Sequence, residues 1–297
     1  MKTATVAIFS VFCVFFLAAT LFADPWKIDV TANLGTALSS YSNSWVGGQA
    51  GSFTWNSQFL GVAERQLSKE FNTQTTLNLQ FGQTKVQDET SKEWSIPQIS
   101  TDLIDAQELM RYTAGLWADP FLSVRAISQF LDGSDTLLNR YINPLNVTEA
   151  LGISRTLIKN EGTTWSSRIG VAARQVINRQ QLDTVSLQRQ TDVTKDGGAE
   201  FDMDLNTVNK HKWASLISSL RVYEAIISSE SSSLQGTSQA NNWRYPHVVW
   251  ENTLILSFKK FLMISLVVDA DYDSDISSQA RLHEAISAGL TYIYSKK

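Results

Sequence analysis

The chain has 297 residues, enough for one large domain or two ordinary ones, with a formal net charge of −4 that gives nucleic acid no basic surface to bind. It is 43% apolar yet slightly polar on average, which excludes a bundle of membrane helices but suits a fold in which half of each strand faces a polar interior. Its single cysteine is Cys13, so the chain beyond it can form no disulfide and no cysteine metal site.

Residues 1–23 form the one uninterrupted apolar run. Lys2 supplies a positive start, Ala4 to Phe22 the apolar centre, and Leu21-Phe22-Ala23 a small residue before Asp24. We read it as a cleaved export signal, with 24–297 as the mature domain. A retained membrane anchor is the alternative. A lipoprotein fits less well, because Cys13 lies inside the apolar run.

Twelve segments then alternate apolar and polar residues with a period of two: 26–38, 50–66, 70–85, 101–117, 120–131, 147–158, 163–178, 197–209, 213–227, 244–258, 261–270 and 280–294. In 70–85, Asn72, Gln74, Thr76, Asn78, Gln80, Gly82 and Thr84 share one side, opposite Phe71, Leu77, Leu79 and Phe81. Glu108 and Asn252 fall on the apolar side of their segments, where a bulge or register shift would move them inward. None of the five prolines falls mid-segment.

The connections alternate short and long. Short turns fall at Ser68-Lys69, Ala118-Asp119, Asn160-Glu161-Gly162, Lys210-His211-Lys212 and Lys259-Lys260. Longer polar loops cover 39–49, 86–100, 132–146, 179–196, 228–243 and 271–279. Trp26, Phe71, Trp117, Phe121, Trp165, Trp213, Phe258, Phe261, Tyr292 and Tyr294 cluster near the short turns, the placement of an interfacial girdle. The opposite rim is thinner, with Trp45, Trp55, Trp94, Tyr141 and Trp243.

The last segment ends Ser287-Ala288-Gly289-Leu290-Thr291-Tyr292-Ile293-Tyr294. It resembles the C-terminal assembly signal of outer-membrane barrels: polar, any, Gly, two any, aromatic, any, aromatic. Gly289, Tyr292 and Tyr294 carry it. The fold expected is all-β: an antiparallel up-and-down transmembrane barrel of twelve strands in a bacterial outer membrane, short turns in the periplasm.

Projecting the polar sides inward gathers Arg111, Arg125, Arg168, Arg174, Glu200, Asp202, Asp204, Arg221, Glu251 and Arg281, with His283. Arg168 and Arg174 can meet Glu200, Asp202 and Asp204 across neighbouring strands. Two readings follow. Basic and acidic walls facing each other would constrict a small porin-like channel for polar solutes. Alternatively, paired charges fill a closed structural or interaction barrel whose outer loops bind a partner or surface glycan. A lumen clear of side chains favours the first; arginine–carboxylate ladders across it, or loops 86–100 and 179–196 folded in, favour the second.

A rim enzyme is the third class. His211 falls in a short turn, and His247 and His283 come with no nucleophile at a diagnostic spacing, so no catalytic residue is expected. Asp269-Ala270-Asp271-Tyr272-Asp273-Ser274-Asp275 resembles the opening of a calcium loop, but Ser274 and Ala280 stand where Gly and Glu belong, so no metal or cofactor is expected. Asn146-Val147-Thr148 matches a glycosylation sequon by chance. The partners expected are outer-membrane lipids and the barrel assembly machinery, with small polar solutes under the porin-like reading.

Six stretches resemble an uncharacterised family of outer-membrane barrels, a domain of unknown function found in Bacteroidota and relatives: Ser42 to Gly48, Phe81 to Lys85, Ser100 to Asp105, Ser128 to Gly133, Asn143-Pro144-Leu145 with Thr148-Glu149, and Trp250-Glu251-Asn252. The resemblance implies an outer-membrane barrel and brings no activity or ligand. It also implies a fixed first-loop feature built on Trp45, Gly47 and Gly48.

Overall fold

A computed structural model describes residues 25–41, 50–113, 115–135, 137–182, 188–237, 239–258, 261–274 and 276–296. Residues 1–24, with the segment read as an export signal, Trp45 with Gly47 and Gly48, and the turn at Lys259-Lys260 lie outside them. Twelve antiparallel strands form one closed barrel in sequential order. They are β1 (Lys27–Ser39), β2 (Ser52–Gln66), β3 (Phe71–Val86), β4 (Gln98–Tyr112), β5 (Asp119–Ser128) and β6 (Leu145–Lys159). β7 (Thr163–Leu182), β8 (Arg189–Val208), β9 (Ala214–Ser228), β10 (His247–Phe258), β11 (Leu262–Tyr272) and β12 (Arg281–Lys296) complete the wall. β12 closes on β1.

Alternation sorts the two faces. Leu282, Ile286, Leu290, Tyr292 and Tyr294 of β12 are exposed on the outer surface, as are Leu151 and Ile153 of β6. Polar side chains and a small apolar cluster point inward. An apolar exterior around a polar interior is the arrangement of a barrel that crosses a bilayer, where closure leaves no unpaired edge.

The short turns are built from local side-chain bonds. Asn160 Oδ1 accepts from the Gly162 and Thr163 amides, and Asn209 Oδ1 from the Trp213 and Ala214 amides. Phe71, Trp117, Trp213, Phe258 and Phe261 are exposed at this end. Phe121, expected among them, instead points inward and is buried.

The cross-section is flattened. Twelve tilted strands closed in a circle would enclose a bore about 24 Å across. Yet Arg221 of β9 approaches Asp105 of β4 to 3.7 Å, although the two strands lie on opposite walls. Two extended side chains cannot bridge a circular bore, so the walls have drawn together. The tips of the flattened section then fall midway between β4 and β9: at the β6–β7 and β12–β1 junctions. Each tip carries a glycine pair facing inward, Gly152 opposite Gly170 and Gly35 opposite Gly289. A Cβ on Gly152 would overlap the Ile169 carbonyl, and one on Gly289 the Leu34 carbonyl. At these positions the neighbouring strand's backbone leaves no room for a Cβ, as it also does at Gly198 of β8, against the Glu224 carbonyl of β9.

Glu108 and Asn252 do lie on the outer face, and no bulge moves them: the β3–β4 register shifts only at Gly82/Gln83, and β10 runs unbroken against both neighbours. Each is satisfied in place. Thr73 and Thr75 both donate to the Glu108 carboxylate. Asn252 accepts from Ser218 Oγ at 2.7 Å, and Ser218 in turn accepts from Trp250 Nε1 at 3.2 Å.

Candidate functional site: a bridged lumen under a loop lid

The interior is organised by one chain of charges that crosses it. On β4, Asp105 shares a face with Gln107, Leu109 and Arg111. Arg125 of β5 donates to both Asp105 oxygens, from Nε at 2.7 Å and Nη2 at 2.6 Å. From the far wall, Arg221 lies 3.7 Å from Asp105 and donates to Glu251 Oε2 at 2.8 Å. The order Arg125–Asp105–Arg221–Glu251 therefore spans β5, β4, β9 and β10. Asp105 is 6% exposed and Arg125 9%.

Flanking pairs thicken this layer. Arg168 meets Asp202 at 2.8 Å and Asp204 at 3.6 Å. Arg174 pairs with Asp196 at 2.9 Å and stacks over Tyr223 at 4.4 Å. Arg111 lies 3.4 Å from Glu64 and donates to Asn72 at 2.7 Å. Leu109, Phe121, Ala150, Ala172, Tyr223 and Ala225 pack together inside the β4–β9 arc. Alternating signs along such a chain are what let buried charges persist away from bulk water.

All the sequence-derived lumen candidates project inward, in differing company. Arg111, Arg125, Arg168, Arg174, Asp202, Asp204, Arg221 and Glu251 join the pairs above. Glu200 shares their face of β8 but forms no ion pair among the described residues. Arg281 stands apart at the long-loop end, 2.7 Å from Asp271. Asp105, Glu64 and Asp196 join this layer without standing among the sequence-derived candidates. Asp105 has the same parity on β4 as Arg111, which is the available signal; Asp196 lies in the stretch 179–196 that reads as a loop.

The long-loop end is covered by two loops, neither of them expected to fold inward. The first is the β5–β6 connection, 129–144. The Phe130 and Leu131 amides donate to Asp102 where β5 leaves the sheet. Asn143 is completely buried and donates to Asp132 at 2.8 Å and to Asn178 at 2.9 Å. Arg140 pairs with Asp132 at 2.6 Å, and its guanidinium also reaches Ser134, Asn178 and Gln181. Asn178 points to the same side of β7 as Arg168 and Arg174, so this loop lies against the lumen side of the β7–β8 hairpin. Arg189 at the start of β8 secures the tip through Asp135 at 2.6 Å. Hydrogen bonding from Arg189 holds the Asp135 carboxyl down at about 2. Burial opposes ionisation of Asp132, but hydrogen bonds from Ser134 and Asn143 and the Arg140 charge keep its carboxyl below the usual range.

The second loop joins β9 to β10. Its single helical turn, α1 (Asn242–Arg244), carries Trp243, expected at the outer rim, onto the inward apolar cluster. The described parts of loops 86–100 and 179–196 do not plug the barrel. The first folds back on itself through a Gln87–Trp94 bridge, and most of the second is strand, extending β7 and β8.

His283 Nδ1 lies 3.2 Å from Asp269 and His247 Nε2 3.5 Å from Asp271. Neither histidine is hydrogen-bonded to a hydroxyl among the described residues. Asp275 lies outside them, and among them no group of metal-ligating side chains could hold an ion.

On the short-turn side of the charge layer is a cavity of about 390 Å³. Asp105, Arg168, Arg221 and Glu251 form its ceiling, and Gln58, Gln74, Thr76, Asn78 and Asn206 are among its wall residues.

Fold and interior together define a closed twelve-stranded, membrane-type barrel. Neither a family model nor a curated protein matches the chain. Among solved structures it is similar to an outer membrane channel from Pseudomonas putida F1, with 17% identity over 91% of this chain and 95% of that one, TM-score 0.43. It is also similar to the translocator domain of the autotransporter NalP from Neisseria meningitidis, with 12% identity over 98% and 96% of the two chains, TM-score 0.35. The beta domain of the Bordetella autotransporter BrkA aligns at 10% identity over 92% of this chain and the whole of that one, TM-score 0.35.

Proposed function

We propose that this chain is an outer-membrane barrel of a Bacteroidota-type family, exported through segment 1–23, and that its lumen is closed to solute flow. In this reading it serves as a structural or binding barrel, with no catalytic role. The observation that carries it is the Arg125–Asp105–Arg221–Glu251 chain, which joins opposite walls mid-lumen. The covering loops and the inward apolar cluster support it. Short turns and their exposed aromatics face the periplasm, and long loops face outward, as in bacterial barrels generally. Outer-membrane lipids contact the apolar band, and the barrel assembly machinery reads the β12 segment with Gly289, Tyr292 and Tyr294.

A porin-like channel is the second reading, favoured by the polar cavity beneath the charge layer. Single-channel recording separates the two. Refolded wild-type protein in a planar bilayer is expected to be silent. Arg221→Ala removes the side chain that crosses the lumen and leaves the Arg125–Asp105 pair intact, so it is expected to give stepwise currents. Stable conductance from the wild type overturns the closed reading.

A further inference from the structure

We infer that the cavity below the charge layer is a binding chamber for a small, neutral, polyhydroxylated molecule of mono- to disaccharide size, entered from the short-turn side. The inference rests on the closed-lumen reading, because the crossing ion pairs form the chamber ceiling. About 390 Å³ falls near the lower end of the roughly 300–1,000 Å³ typical of small-molecule pockets, so the guest is small.

The wall specifies its chemistry. Gln58, Gln74, Gln80, Gln107, Asn78 and Asn206 present amides, each a donor and an acceptor at once. Hydroxyl groups of a polyol also donate and accept, so they can pair with such a wall throughout. A carboxylate or ammonium guest would leave half of those wall groups unmatched.

Charge points the same way. Six lining carboxylates stand against five lining cations, with Glu64 matched by Arg111, Arg168 by Asp202 and Asp204, and Arg221 by Glu251, so the wall is close to neutral. Arg111 lines the chamber as well, and its Nη2 donates to Asn72 at 2.7 Å and to Gln74 at 3.4 Å, which holds that wall amide in place. Leu60 and Val62 on β2 supply apolar surface for the C–H face of a sugar ring.

The test uses the full-length mature barrel refolded in micelles of a zwitterionic detergent that contains no sugar. Glucose and maltose are the probes, glutamate and spermidine the charged comparators, and binding is read by calorimetric titration. Wild type is expected to bind glucose or maltose saturably and the charged comparators not at all. Thr76→Trp fills the chamber without touching an ion pair and is expected to abolish binding. Gln107→Leu, which deletes one wall amide, should weaken it by about tenfold. Heat-modifiable gel mobility establishes that each variant is folded, and Thr76→Phe replaces Thr76→Trp as the filled variant if the latter does not fold. Absence of saturable sugar binding, sugar binding unchanged in the filled variant, or preferred binding of glutamate or spermidine each overturns the proposal. A silent barrel that ignores both sugars defeats this inference alone, whereas a conducting wild type defeats the reading beneath it.

Discussion

Asp105 is the position where the charge layer can be tested most sharply. It accepts two hydrogen bonds from Arg125, at 2.7 and 2.6 Å, and both residues are nearly excluded from solvent. Asp105→Ala leaves the Arg125 guanidinium buried without those acceptors. Removing one partner of a buried ion pair costs about 3–5 kcal/mol, because the remaining charge is uncompensated. Urea unfolding in lipid vesicles, followed by tryptophan fluorescence, reads the loss directly. With a slope of about 3 kcal/mol/M, the midpoint should fall by roughly 1–1.7 M. The double variant Asp105→Leu with Arg125→Met removes both charges and refills the space, so it should recover most of the loss. A single-variant shift under about 0.3 M, or a double variant worse than the single, would show that these charges are solvated and that the lumen is open at this level.

Other positions give narrower tests. Gly289→Ala places a Cβ against the Leu34 carbonyl at the β1–β12 seam and should abolish the heat-modifiable folded band, while Gly133→Ala, with open space around it, should leave stability within about 0.5 kcal/mol of wild type. Replacing Tyr292 and Tyr294 by Ala removes exposed rings near the short-turn end of the last strand and should lower folded yield in the outer membrane; normal yield counts against its role as an assembly signal. Glu108→Gln keeps an amide within reach of Thr73 and Thr75 and removes a charge from the lipid face, so the urea midpoint in vesicles should rise; a fall would mean the carboxylate is needed there. The Asp135–Arg189 contact depends on pH with a definite sign. The folded-state value of about 2 lies below the ordinary 3.8, so the contact stabilises the loop tip above about pH 4 and is lost as pH falls toward 2. Hydrogen exchange at the Leu137 amide, which donates to Asp135 at 2.9 Å, should accelerate over that interval in wild type and be fast throughout in Asp135→Ala.

The wall of this barrel was largely legible in its sequence, because a strand between lipid and a polar lumen must alternate. All twelve segments correspond to strands, and the order of short and long connections holds. The stretch 179–196 reads as a loop because Arg189 to Asp196 carries no apolar side, yet it belongs mainly to the raised β7–β8 hairpin. A strand standing clear of the apolar band has no lipid face, so its period-two signal vanishes. Trp117 misled in the opposite direction: its apolar character extended the fourth segment to 117, whereas β4 stops at Tyr112 and the ring belongs to the turn. The interior was less legible. Parity tells which side chains face inward, so Arg111 and Arg221 could be placed. It does not tell which of them meet across the lumen, because that depends on the shape of the cross-section. Asp105 and Arg221 are neighbours only because the walls are drawn together.

The glycine pairs at the two tips give that shape a mechanical meaning. β1 to β6 and β7 to β12 form two panels that meet along two creases, Gly35 with Gly289 and Gly152 with Gly170. At each crease the facing strands approach backbone to backbone, with no side chain between them. Anyone re-engineering the barrel as a nanopore would find that deleting crossing side chains clears the passage without widening it. Widening requires relaxing the folds themselves, at four positions where the entire side chain is a hydrogen atom.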